Sequence, residues 1–93
     1  MDPYILAISR IIKEQQSIIG PVALDQAKKV AGLEVGGVDD VKITGNKKEV
    51  LGNLVNQYAK LFGQASVEVC KEAFSYVADK MSPADIPDVL RSS

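Results

Sequence analysis

The chain has 93 residues, 46% hydrophobic and 25% charged, a length and balance that suit one domain around one modest core, with roughly 60–65% of the unfolded surface buried on folding. Eleven basic and twelve acidic side chains leave a net charge of −1, shared evenly between residues 1–46 and 47–93, so no basic excess supports a nucleic-acid partner. Histidine is absent and Cys70 is the only cysteine, which excludes imidazole chemistry and an intrachain disulfide.

Asp2-Pro3 reads as a helix start, and Ile5, Ile8, Ile11, Ile12, Ile18 and Ile19 then recur at helical spacing, predicting a first helix over 3–19. Gln15 and Gln16 interrupt this stripe, so one turn is expected to face water or a partner. Gly20 supplies a left-handed stop and Pro21 opens a second helix over 21–31, with Val22, Ala23, Ala27, Val30 and Ala31 inward. Residues 32–46, GLEVGGVDDVKITGN, are the least helical stretch. Val35, Val41 and Ile43 alternate with polar neighbours and Gly45-Asn46 is a turn signal, which allows either a short two-stranded ribbon or an irregular crossover.

The strongest helical stripe, Val50, Leu51, Leu54, Val55, Tyr58, Leu61 and Phe62, predicts a third helix over 47–62. Gly63 separates it from a fourth over 64–81, with Val69, Cys70, Ala73, Phe74, Val77 and Met81 inward, although the stripe also permits one long helix bent at Gly63. Ser82-Pro83 starts a short C-terminal helix within 82–91, interrupted by Pro87.

Residues 11–30 and 54–73 match at an offset of 43, Ile11 with Leu54, Ile12 with Val55, Ile18 with Leu61, Gly20 with Gly63, Ala27 with Cys70 and Lys28 with Lys71. The expected fold is therefore an all-α bundle of four main helices and a short C-terminal one. It contains two helix–Gly–helix units in pseudo-two-fold repeat, unit one over 3–31 and unit two over 47–81, with Gly20, Pro21 and Gly63 as structural corners.

Two glycine corners in tandem resemble the helix-hairpin-helix fold, but positions 18 and 61 are Ile and Leu, so neither copy has the Gly-x-Gly bend that presents amides to a phosphate. A helix-turn-helix around Asp25–Val35 lacks a recognition helix after Gly32. Asp39-Asp40 with Glu34 and Asp25 lacks the spacing of an EF-hand and reads as a solvated loop. Cys70 occupies a core position, Lys28 and Lys71 are solvated or flank a common groove, and the tyrosines are rim residues. No nucleophile–base pair, phosphate loop or metal-ligand cluster emerges, so no enzyme activity, cofactor or metal is expected.

Ile18-Ile19-Gly20-Pro21-Val22-Ala23 resembles the I-G-P-[IV]-A corner of short helical output domains at the ends of some prokaryotic signalling proteins. The likeness covers about a dozen residues of the first copy; the second, Phe62-Gly63-Gln64-Ala65-Ser66, has no proline. It implies a module that relays a signal by contacting a protein partner.

The amino terminus lacks the basic region and cleavage site of a signal peptide, and no apolar run approaches the ~18 residues of a transmembrane helix. A cytoplasmic location without membrane insertion is expected. The isoleucines of the first helix lie on more than one line, which favours a homodimer interface at Ile11, Ile18 and Gln15 over a monomer in which the second copy covers them. For function, the rival to an interaction or regulatory module is a helical bundle with an apolar ligand cavity between the copies, lined by Ile12, Leu54 and Phe74.

Overall fold

The computed structural model describes residues 2–91. Helix α1 (Pro3–Ile19) begins where Asp2 accepts a hydrogen bond from the Tyr4 amide at 2.8 Å and Pro3 fills the first turn, in which no amide is missed. Helix α2 (Val22–Ala27) is shorter than the predicted 21–31. Past Ala27 the chain tightens into turns, Lys29 donating to the Gln26 carbonyl and Val30 to that of Ala27, each at 3.1 Å.

The stretch after Gly32 is a hairpin, which amends the all-α expectation to a mostly helical fold with one small antiparallel sheet. Strands β1 (Leu33–Gly37) and β2 (Asp40–Ile43) pair Leu33 with Ile43, Glu34 with Lys42 and Val35 with Val41. Alternation puts the four apolar residues on one side, against the core. The hairpin tip is held on α1, where the Ser9 hydroxyl donates to the Val38 carbonyl and Lys13 lies 3.6 Å from Asp39. Gly45-Asn46, read above as a turn signal, instead introduces α3 (Lys47–Phe62), for Asn46 Oδ1 caps that helix by accepting from the Glu49 amide at 2.9 Å.

Gly63 divides α3 from α4 (Gln64–Ser75), so the long bent helix does not form. Helix α4 ends before the predicted Met81; Val77 and Met81 still turn inward, but from a 3₁₀ turn, Ala78–Lys80. No helix forms over 82–91 either. Two 3₁₀ turns, Pro83–Asp85 and Asp88–Leu90, flank Pro87, because a proline removes an amide and forces the residue before it out of helical geometry, and Ile86 is extended at φ −92°, ψ 123°.

The four helices form a ring in which α1 packs on α2 and α4, α3 packs on the same two, and α1 and α3 also meet across it. Ile8, Ile11, Ile12, Leu51, Leu54, Val55 and Tyr58 fill its centre without exposed surface. The C-terminal segment seals the end where α1 and α3 begin. There the Tyr4 hydroxyl donates to the Asp85 carbonyl at 2.9 Å, Lys48 Nζ to that of Ala84 at 2.8 Å, and Leu90 is buried. Among the described residues no helix is long and apolar enough to cross a membrane.

Candidate functional site

The opposite end of the ring carries the two glycine corners. Gly20 has φ 75° and ψ −156°, and Gly63 has φ 78° and ψ −164°. This is the positive-φ extended region open in practice only to glycine, not the left-handed helical stop predicted. The hydrogen bonds match as well. Gly20 donates to Gln16 and its carbonyl accepts from Ala23, while Gly63 donates to Ala59 and its carbonyl accepts from Ser66, all at 2.8–3.1 Å.

Burial follows the same offset of 43. Ala7, Ile8, Ile11, Ile12, Gln15, Ala23, Ala27 and Val30 are buried, and so are their counterparts Val50, Leu51, Leu54, Val55, Tyr58, Ser66, Cys70 and Ala73. The two large polar members of these sets reach across. Gln15 Nε2 donates to the Ser66 carbonyl at 3.0 Å, and Tyr58 donates its hydroxyl to the Ala23 carbonyl at 2.6 Å. Ser66 is the counterpart of Ala23, so each half bonds the same backbone position of the other. These two bonds lie within five residues of both glycines and hold one corner against the other.

Outside this clamp the corners are bare. Ile18 is 63% exposed, Leu61 49%, Val22 42% and Phe62 39%, with Pro21 and Ala65 also exposed between them. Sequence reasoning placed Val22, Leu61 and Phe62 in the interior because it extended the helical stripes to the corners. The helices end there, and no further element covers the last turn. The only sign available beforehand was the break itself, since a stripe that meets a helix stop has lost the neighbour it would pack on.

The expected interface on α1 is divided by the fold. Ile18 is exposed, whereas Ile11 has no exposed surface and Gln15, expected to face water or a partner, is bonded inside the core. The expected ligand cavity is filled: Ile12, Leu54 and Phe74 pack among their neighbours, and the surface clefts are lined by other residues. Lys28 is exposed and Lys71 lies 3.9 Å from Glu68.

Cys70 is buried beside Gln15 Nε2, at 3.3 Å. Burial pushes its thiol up to about 11, against a smaller lowering by the Gln15 bond, which leaves it neutral and a poor nucleophile at physiological pH. Burial likewise pushes the Tyr58 hydroxyl up, consistent with its role as a hydrogen-bond donor. Of the other tyrosines, Tyr76 is exposed, with the Arg10 guanidinium 4.0 Å from its ring centre. Among the described residues no group of three or more cysteine or acidic side chains is placed to hold a metal ion. No family model, curated protein or solved structure matches this chain.

Proposed function

We infer that this chain is a small, non-catalytic protein-interaction or regulatory module. It is built from two helix–Gly–helix units about a pseudo-two-fold axis, and it engages a protein partner through the end that carries both corners. The reciprocal bonds Gln15 to Ser66 and Tyr58 to Ala23 support the two-unit architecture, since a pair of equivalent donors serving equivalent acceptors is what such an axis produces.

The observation that carries the function is the exposure of Ile18, Val22, Leu61 and Phe62 at the corner end, while the C-terminal segment covers the other end. Clustered large apolar side chains on a monomer are a common mark of an interaction surface. The likeness of Ile18–Ala23 to the corner of signalling output domains agrees with a relay that works by contact.

A second copy of the chain is the first candidate partner. Ile18 and Leu61 occupy equivalent places on the two corners, so two molecules meeting end to end would oppose like surfaces in an isologous contact. Sedimentation over a concentration series tests this, using the wild type and the double substitution Ile18→Lys, Leu61→Lys. Both side chains are exposed, so the variant should keep its helical signal. Dimerisation of the wild type that the variant loses is the expected outcome. A wild type that remains monomeric at high micromolar concentration would end self-pairing and leave a heterologous protein as the partner.

A further inference from the structure

A second surface, away from the corners, follows from two asparagines that the fold does not explain. Of the asparagines in and beside helix α3, Asn46 has a structural reason, since it caps the helix. Asn53 and Asn56 have none. Both are exposed in the middle of α3, where asparagine is less favourable than alanine by roughly 0.5–0.7 kcal/mol. Neither side chain hydrogen-bonds another group among the described residues.

Both line two adjoining surface clefts, one of about 460 Å³ against Pro87–Val89 and one of about 270 Å³ against Lys29–Ala31. The two clefts differ in charge. Lys29 and Lys60 flank the second, neither with an acidic partner among the described residues, while Glu49 and Asp88 flank the first together with Lys48, whose Nζ is engaged by the Ala84 carbonyl.

The geometry points to a groove for an extended segment of a partner polypeptide, with its backbone on Asn53 and Asn56 and an acidic side chain toward Lys29 and Lys60. A carboxamide offers one acceptor and two donors, the complement of a peptide group in a two-bond fork. Positions three apart on a helix are neighbours at about 5–6 Å, close to the roughly 6.6 Å at which an extended strand repeats its facing groups. This groove is independent of the corner surface, so either can fail without the other.

The test pans a display library of random peptides of about twelve residues against the full chain, and against the double substitutions Asn53→Ala, Asn56→Ala and Lys29→Glu, Lys60→Glu. Enrichment of acidic sequences by the wild type is expected, with affinity at least tenfold weaker for the asparagine variant and a switch to basic sequences for the lysine variant. Melting temperature supplies the control, because removing two poor helix formers that bond nothing should raise it by a few degrees. A melting temperature that falls would make the asparagines structural. Peptides that bind the variants as well as the wild type, or no enrichment at all, would equally overturn the groove.

Discussion

Of the two halves of the ring, residues 50–74 bury every position that residues 7–31 bury, with different material, and bury Val67 and Phe74 in addition. In the first half α1 is rich in isoleucine while α2 is a short helix whose buried residues are two alanines; in the second, α4 is twice as long, 12 residues against 6, and buries Val67, Cys70 and Phe74 as well. The long helix of each half packs on the second helix of the other. The isoleucines of α1 are thus covered by the large residues of α4, and the weak α2 is supported by α3. Ile11, which has no exposed surface, is covered within this chain.

The largest test of this equivalence is in the core. Ile11→Ala and Leu54→Ala truncate counterpart side chains, both without exposed surface. Each should cost about 2–5 kcal/mol, measured by denaturant unfolding, with the two costs within about 1 kcal/mol of one another. A large cost at Leu54 alone would mean that only the second half forms the core.

The next concerns a feature that the halves do not share. Cys70 has Ala27 as its counterpart, and its thiol, ordinarily near 9.0, is raised to about 11 in the fold. The unfolded chain therefore releases this proton first as pH rises. Stability should be unaffected below about pH 8 and fall by up to about 1.4 kcal/mol per pH unit between 9 and 11. Tyr58, raised by burial as well, adds a loss from about pH 10. Equilibrium unfolding across this range should show Cys70→Ala removing the component that begins near pH 9; an unchanged onset would mean that the thiol is not kept dry.

The finest comparison is between the two crossing hydrogen bonds. Tyr58→Phe leaves the Ala23 carbonyl without its donor, and Gln15→Leu does the same to that of Ser66. Each should cost about 1–3 kcal/mol, the range for orphaning a buried polar group. Urea midpoints should place Gln15→Leu a few tenths of a kcal/mol higher in cost, since Gln15 also reaches the Cys70 sulfur. If both changes are neutral, the clamp on the corners has no energetic role.

Much of the helical framework was legible in the residues. Asp2-Pro3 fixed the start of α1, the stripe from Val50 to Phe62 defined α3, and Gly20 and Gly63 separated the helices, because caps, periodicity and the torsional freedom of glycine act within a few residues. Asn46 was misread for the same reason: a turn and a helix cap use the same carboxamide, and only the following helix tells them apart. The candidate sites were far less legible. Whether Gln15 faces water or a carbonyl 51 positions away, and whether Leu61 and Phe62 are covered, depends on which elements meet across the ring.

By itself the sequence determined where the four helices begin and the glycines that part them, since each depends on short-range sterics and on the period of apolar residues. Only the tertiary structure decided that the C-terminal segment would seal one end and leave the corners bare, that Gln15 would reach the Ser66 carbonyl and Tyr58 that of Ala23, and that Asn53 and Asn56 would line clefts against Pro87 and Lys29. Those outcomes follow from long-range packing, where a side chain's surroundings are set by residues distant in the chain, and no local pattern records them.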